Sequence, residues 1–212
     1  MRRLVRVVPH SEGSAVTTRR TKGKEREALV VAAAGAAIAE RGLANVRMAD
    51  VAERAGMTVG HVSYYFPSKI ELLMRAIRAN EDQHWTEVEI AIAKIRDPWK
   101  RLDKLLDVAA SAGARDPGWV LWFQLWLESA LDADVARDHH ELDARWRTIL
   151  ADVLRYGVGL GAFVSDDPAQ DAMLLSSMVD GLSIQVTLGS PELSRTRMMK
   201  LLRANARELL AD

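Results

Sequence analysis

Cysteine is absent from this chain of 212 residues. Its absence excludes disulfide bonds, thiolate nucleophiles and zinc sites with cysteine ligands, and it fits a reducing compartment. Long apolar runs are missing too, since none approaches the roughly 18 residues that a membrane-spanning helix requires. The short apolar run from Leu4 to Val8 is interrupted by Arg6 and is too short for the core of a signal peptide. We therefore expect a cytoplasmic protein with no membrane partner.

The chain also lacks an overall charge, but its charges are unevenly distributed. Residues 1–80 contain 14 Lys and Arg against 7 Asp and Glu, a net charge of +7, whereas the remainder carries −7. Such an asymmetry favours a polyanionic partner for the first part of the chain. A basic segment that serves only solubility is the alternative.

Alternation of β-branched and polar residues is scarce, and Ala, Leu, Arg and Glu recur with a helical period almost throughout. We predict an all-α fold of about nine helices, with a flexible basic arm over residues 1–21, an N-terminal domain over residues 22–72 and a C-terminal domain over residues 73–212. Helix one is predicted from about Lys24 to Arg41. Later helices are predicted to begin at N-terminal capping signals: Ser68, Asp97-Pro98, Asp116-Pro117 and Asp167-Pro168.

The stretch GMTVGHVSYYFPSK, residues 56–69, has the proportions of the turn and second helix of a helix-turn-helix. The first short helix is predicted over about Met48–Ala55 and the second over about Val59–Tyr65. Gly56 tolerates the positive φ that the turn needs, and Thr58 can cap the second helix. In such units the N-terminal residues of the second helix enter the DNA major groove, and here these are Thr58, Val59, Gly60 and His61.

The segment VRMADVAERAGMTVGHVSYYFPSKIELLMRAI, residues 46–77, resembles the DNA-binding domain of the TetR family of transcriptional regulators, and residues 26–42 are similar to the first helix of that family. The resemblance implies a helical C-terminal domain that binds a small ligand and dimerises. It also implies phosphate contacts by Tyr64, Tyr65 and Lys69, contacts to bases and backbone by Thr58, Val59, Gly60 and His61, and a buried Phe66. Arg47 stands where many members have a Ser or Thr cap, with Asn45 as a substitute cap, and Arg47 is itself a candidate phosphate contact.

Tryptophan is concentrated in PGWVLWFQLWLESA, residues 117–130. One face of the predicted helix carries four aromatic residues at helical spacing, Trp119, Trp122, Phe123 and Trp126. That face is either part of the core or one wall of a ligand pocket, and the nearby Glu128 would suit a cation through charge and cation–π attraction. His139 and Asp143 have the spacing of metal ligands, but a solvated polar face is the better interpretation because no second helix supplies ligands. We predict no metal site and no cofactor.

The last two predicted helices, eight and nine, are strongly apolar. The resemblance implies that this helix pair forms the interface of a homodimer. The motif MVDGLSIQ, residues 178–185, is similar to the BetI-like branch of these regulators. This similarity suggests quaternary amines such as choline as one effector class, with other small molecules left open. Met178 and Gln185, on predicted helix eight, are further pocket candidates.

Together these observations predict a DNA-binding transcriptional regulator, a repressor that a small-molecule effector releases from a palindromic double-stranded DNA operator. The alternatives are a regulator with another logic, as an activator or with a co-repressor, a helical enzyme, or an adaptor. An enzyme is disfavoured because the chain has no cysteine, no Ser/His/Asp pattern and no phosphate-binding glycine loop, so we predict no catalytic residue. An adaptor is disfavoured because Gly60, Tyr64, Tyr65 and Lys69 are all present.

Overall fold

The computed structural model describes the backbone of residues 12–211 and the side chains of residues 23–211. This part of the chain is helical and contains no strand, which confirms the all-α prediction. Its helices are α1 (Glu12–Arg41), α2 (Met48–Arg54), α3 (Val59–Tyr65), α4 (Lys69–Ala93), α5 (Pro98–Ala109), α6 (Pro117–Leu131), α7 (Ala133–Gly159), α8 (Pro168–Thr187) and α9 (Arg195–Leu209), with a 3₁₀ turn at Leu43–Asn45. None of these described helices is both long enough and apolar enough to cross a membrane.

Helix α1 begins at Glu12, well before the predicted start at Lys24. The predicted arm thus overlaps α1 over residues 12–21 and stays a prediction, and residues 1–11 lie outside the described part of the chain. The Ser, Thr and Gly residues of this stretch suggested irregular structure. They are weaker helix formers than Ala, but they do not stop a helix as proline does, and no proline occurs between Pro9 and Pro67.

Side-chain caps determine where most of the helices begin. In each case a side-chain oxygen accepts a hydrogen bond from backbone N–H groups of the first turn. The capping residues are Thr58 for α3, Ser68 for α4, Asp97 for α5, Asp116 for α6, Asp132 for α7, Asp167 for α8 and Ser194 for α9. The predicted caps of α3, α4, α5, α6 and α8 are therefore confirmed, whereas the caps of α7 and α9 were not predicted.

The helices pack around two hydrophobic cores. The first core joins α1, α2, α3 and the start of α4 with parts of α6 and α7. It includes Val30, Ala34, Val51, Val62, Phe66 and Leu72, together with Leu125 of α6 and Val135 and Leu142 of α7. The second core joins α4 to α9, and it includes Leu105, Leu150, Leu154, Leu175, Met198 and Leu202. Helix α4 contributes to both cores, with Ile77 in the first and Trp85 in the second. The domain boundary predicted after residue 72 stays a prediction, and α4 runs through it.

Candidate DNA interface and effector cavity

Helices α2 and α3 form a compact pair joined by a tight turn. Gly56 in this turn has a φ of 64°, which a residue with a side chain rarely adopts. The side chain of Thr58 accepts from the backbone N–H of His61 at 3.2 Å and so begins α3. Val51 and Val62, one on each helix, are fully buried in the first core. Local chemistry thus sets the angle between the two helices, and packing holds it.

The start of α2 is held by an acidic side chain. The backbone N–H of Arg47 donates to Oδ2 of Asp50 at 2.9 Å, and Asp50 also pairs with Arg41 at 2.7 Å. The side chain of Arg47 is therefore not required as a cap and is exposed. Asn45 does not cap α2 as suggested, because its side-chain amide donates to the Arg41 carbonyl at the end of α1, at 3.0 Å.

Most of the predicted DNA-contacting residues of α3 are exposed. Thr58, Val59, Gly60, His61 and Tyr64 are all exposed, and the exposed fraction of Tyr64 is 81%. Lys69, at the start of α4, is also exposed, and its Nζ lies 3.3 Å from the Ala44 carbonyl oxygen. We call these seven exposed residues the α3 surface: Arg47, Thr58, Val59, Gly60, His61, Tyr64 and Lys69.

The two adjacent tyrosines differ in their surroundings. Tyr64 stands in solvent, whereas Tyr65 is half-buried and packs against the first core. Their rings meet edge to face with centroids 5.3 Å apart. Phe66 is buried in the first core, as the resemblance implied. Tyr65 therefore has a packing role that Tyr64 lacks, and it also supports the ring of Tyr64.

A cavity of about 210 Å³ lies among α4, α5, α6, α7 and α8. Its walls carry the indole rings of Trp85, Trp119, Trp122, Trp126 and Trp146. Polar side chains on α7 and α8 complete the lining, namely His139, Asp143, Arg147, Ser176, Ser177 and Asp180. The cavity thus combines a large aromatic surface with two carboxylates.

Three of the five indole N–H groups are engaged by protein acceptors. Trp85 donates to Glu81 at 3.0 Å, Trp126 to Nε2 of His139 at 2.9 Å, and Trp146 to Oγ of Ser176 at 2.9 Å. Trp85 and Trp146 are also stacked, with centroids 5.1 Å apart. These contacts fix the orientation of the rings. Because the N–H donors are occupied, the π faces are what these three rings can offer to a ligand.

The two cavity carboxylates have different partners. Asp143 pairs with Arg147 on the same helix. Asp180 has no ion-pair partner among residues 23–211, and burial, followed by the nearby charge of Asp143, raises its pKa from 3.8 to about 6. Burial also lowers the pKa of His139, which is consistent with a neutral ring that accepts from Trp126. Asp180 is therefore a destabilised carboxylate at neutral pH.

The cavity contains some of the predicted pocket residues and omits others. Trp119, Trp122 and Trp126 line it, but four of the seven candidates do not: Phe123, Glu128, Met178 and Gln185. Phe123 and Met178 pack against the second core, while Glu128 and Gln185 are exposed. Glu128 follows Trp126 by two residues, and a helix turns about 200° over that interval, so it points away from the cavity. Glu128 is therefore not part of this cavity, and its role at a ligand site stays a prediction.

The sequence prediction did not place the lining residues from α4, α7 and α8 at the pocket, and His139 was interpreted as part of a solvated polar face or as a metal ligand. One sequence feature could have indicated Trp85 and Trp146: all six tryptophans of the chain lie beyond residue 80, in the predicted ligand-binding domain. Asp143 was considered only as a metal ligand. In residues 23–211 no three His, Asp or Glu side chains are grouped as a metal site would need.

Two family models match the chain. The model described as bacterial regulatory proteins of the tetR family matches residues 30–76, and the model described as the C-terminal part of BetI-type transcriptional repressors matches residues 98–211. The chain belongs to the TetR family of transcriptional regulators. Residues 30–76 contain the α3 surface, and residues 98–211 contain most of the residues that line the cavity. The family match identifies the chain as a transcriptional regulator rather than an enzyme.

Known proteins resemble this TetR-family chain over most of its length. The regulator BetI of Rhizobium meliloti is 30% identical over 171 residues, which cover 80% of this chain and 81% of BetI. The regulator CymR of Pseudomonas putida is 28% identical over 174 residues, which cover 79% of this chain and 82% of CymR. A transcriptional regulator from Saccharomonospora viridis, solved in complex with choline, superposes with a TM-score of 0.75 at 29% identity and covers 89% of this chain and 99% of its own.

Proposed function

We propose that this protein is a homodimeric repressor that binds a palindromic DNA operator through the α3 surface and leaves it when a small organic cation enters the aromatic cavity. One observation carries the proposal. Helix α4 begins beside the α3 surface at Lys69 and ends beyond Trp85, which lines the cavity. The same rigid helix thus touches the DNA-binding unit and the effector site.

Gly60 supports direct contact between α3 and DNA. A Cβ at this position would have only Thr58 Oγ1 nearby, at 3.9 Å, so packing within the described structure does not require a glycine. A glycine inside a helix costs about 1 kcal/mol relative to alanine. A close approach of DNA to the helix explains why this cost is tolerated. In this arrangement Thr58, Val59 and His61 read base edges, and Arg47, Tyr64, Tyr65 and Lys69 contact phosphates.

The aromatic cavity suits a small cation with apolar substituents. Indole faces attract such cations through their quadrupole, and ordered rings with occupied N–H groups present those faces without rearrangement. Asp180 supplies the counter-charge, because it forms no ion pair among the described residues and the nearby Arg147 is paired with Asp143. The choline complex of the Saccharomonospora viridis relative supports the same chemical class. Quaternary and tertiary amines are therefore the first effectors to test.

A second copy of the chain is the partner proposed for α8 and α9. Helix α8 exposes a stripe at helical spacing, formed by Leu174, Ser177, Gly181, Gln185 and Leu188. Leu174 is 48% exposed, and nothing in the described chain lies within 4 Å of a Cβ built at Gly181. Leu201 of α9 is also exposed, at 37%. Such a stripe, with a small residue at its centre, suits the close packing of a four-helix dimer interface.

Effector binding is coupled to DNA binding through α4. A cation between Trp85 and the facing rings shifts α4, and the shift alters the separation of the two α3 surfaces in the dimer. Ion pairs across α4 and α7 hold the resting arrangement, with Arg78 2.9 Å from Asp138 and Arg145 paired with Asp82. Exposed pairs of this kind contribute about 0–1 kcal/mol each, so they can be exchanged at small cost. An effector changes the equilibrium only by its differential affinity for the two states.

The experiment that tests this function begins with DNA. Full-length protein is used to select duplexes from a random pool, and the recovered sequence is compared with the DNA upstream of its own gene. We expect a near-palindrome whose half-sites lie about one helical turn apart, bound with an affinity that falls steeply with salt. Failure to recover any preferred duplex from a folded dimer would refute the proposal.

A further inference from the structure

Helix α6 belongs to both hydrophobic cores at once. Trp119 is buried in the second core, whereas Leu125 is 1% exposed and buried in the first core, next to the DNA-binding helices. Leu121 and Trp122 also pack against the first core from the same helix. Because Trp122 lines the effector cavity as well, α6 connects the cavity to the DNA-binding unit without passing through α4.

A single hydrogen bond anchors α6 to the joint between α1 and α2. Oε1 of Gln124 accepts from the backbone N–H of Leu43 at 2.8 Å, across 81 residues of sequence. Gln124 lies midway between Trp122 and Trp126, and residues two apart on a helix point in nearly opposite directions. The two tryptophans therefore face the cavity while Gln124 faces the joint.

The joint is a place where a small movement would reorient α2. It consists of Gly42, with a φ of 73°, and the 3₁₀ turn from Leu43 to Asn45. The carboxamide of Gln124 lies beside Gly42, since a Cβ built at Gly42 would be in ordinary van der Waals contact with Gln124 Nε2, at 3.6 Å. Leu43 is 3% exposed, and a buried N–H that loses its acceptor is costly. The joint must therefore follow Gln124 when α6 moves.

We infer that Gln124 is a positioning residue that transmits the state of the effector cavity to the DNA-binding helices through the Leu43 N–H, as a second route beside α4. The inference rests on the proposed function, because it concerns the regulation of the same cavity. In this inference one face of α6 contacts the effector, and the opposite face bonds to the joint between α1 and α2. By reciprocity, DNA bound at the α3 surface must also change the environment of the cavity.

Tryptophan fluorescence can measure that reciprocal effect without knowledge of the effector. All six tryptophans lie beyond residue 80, and five of them line the cavity, so their emission reports on the cavity and not on the α3 surface. Wild-type protein is saturated with the duplex selected above, and the change in emission is recorded with excitation that avoids DNA absorption. We expect a clear change in amplitude at saturation for the wild type.

Three variants separate the roles of Gln124. Gln124→Met removes the acceptor at similar size, and Gln124→Glu keeps an oxygen that accepts from Leu43. Ser129→Ala is the control, because the Ser129 hydroxyl bonds within α6, to the Leu125 carbonyl at 2.7 Å. Gln124→Met should lose most of the emission change at DNA saturation, while the other two variants keep it. If a variant binds DNA weakly, the salt concentration is lowered until the protein is saturated with the duplex. The amplitude of the emission change is then measured independently of the affinity for DNA.

An unchanged amplitude in Gln124→Met at saturation would overturn the inference, and so would the absence of any emission change in the wild type. Equal losses in Gln124→Met and Gln124→Glu would also overturn it, because the acceptor would then not be the group that matters. A merely structural role would lower affinity or stability without altering the amplitude at saturation. Failure of the proposed function gives a different result, since no preferred duplex would be recovered at all.

Discussion

Replacing Asp180 by asparagine should stabilise the free protein and weaken cation binding at the same time. The carboxylate lines the cavity without an ion-pair partner among residues 23–211, and burial raises its pKa to about 6. When the pKa of an acid rises on folding, the folded state favours the protonated form of that acid. The native state therefore loses stability as the pH climbs between about 4 and 6, and the loss is complete above about 7. Asparagine has no such charge and avoids the loss.

The expected size follows from the two pKa values. A rise from 3.8 to about 6 corresponds to at most about 3 kcal/mol at pH 7.5. Because Asp180 is partly exposed, solvent screening reduces this to about 2 kcal/mol. The advantage of Asp180→Asn should therefore be about 2 kcal/mol at pH 7.5 and should fall to about a fifth of that value near pH 4, where the wild-type carboxyl is protonated in the folded state and only about half protonated in the unfolded state.

Two assays measure the two halves of this prediction. Denaturant unfolding at a fixed protein concentration, at pH 7.5 and pH 4, gives the free energy of unfolding, and tryptophan emission with added choline gives cation affinity. Asp152→Asn is the control, since Asp152 is exposed on α7 and pairs with Arg155, so its loss should not stabilise the protein. A variant Asp180→Asn that is no more stable than the wild type at pH 7.5, or that binds cations equally well, would refute the reasoning.

Three further predictions concern other parts of the molecule. Tyr64→Phe should weaken binding to selected and random duplexes by a similar factor, about threefold to tenfold for one lost hydrogen bond; unchanged affinities in a gel-shift titration would exclude a phosphate contact. Gly157→Ala should lower the free energy of unfolding by about 2 kcal/mol or more, because the added Cβ would lie 2.0 Å from Phe163 Cδ2. Gly159→Ala is the control and should be near neutral, because a Cβ there would meet no neighbour within 4 Å. Equal effects of the two substitutions would contradict the packing argument. Leu174→Glu should give a monomer by light scattering, and an intact dimer would place the interface elsewhere.

Features that depend on neighbouring residues in the chain were predictable from sequence. Gly56 and Thr58 act within one turn of α3, so the pattern of residues predicted both the turn and the cap. The same holds for the Asp-Pro starts of α5 and α8. The start of α1 was mispredicted because Ser, Thr and Gly lower helix propensity without excluding a helix.

The cavity could be predicted only in part, because its walls come from five helices. Helical spacing placed Trp119, Trp122 and Trp126 on one face, but it carried no information about which residues of α4, α7 and α8 would meet that face. Asp180 and Trp85 become neighbours of the indoles only through tertiary packing. The difference between Tyr64 and Tyr65 has the same origin, because the first core decides which of two adjacent rings is covered.

The central claim is that an organic cation in the aromatic cavity releases the protein from DNA. Its most direct test is a titration of the protein bound to its selected duplex with a panel of quaternary and tertiary amines, each paired with a neutral analogue of the same shape. The account predicts release of DNA by at least one cation, no release by its neutral analogue, and a weaker response in Asp180→Asn. Tighter DNA binding on addition of the cation, or release by neutral compounds alone, would contradict it.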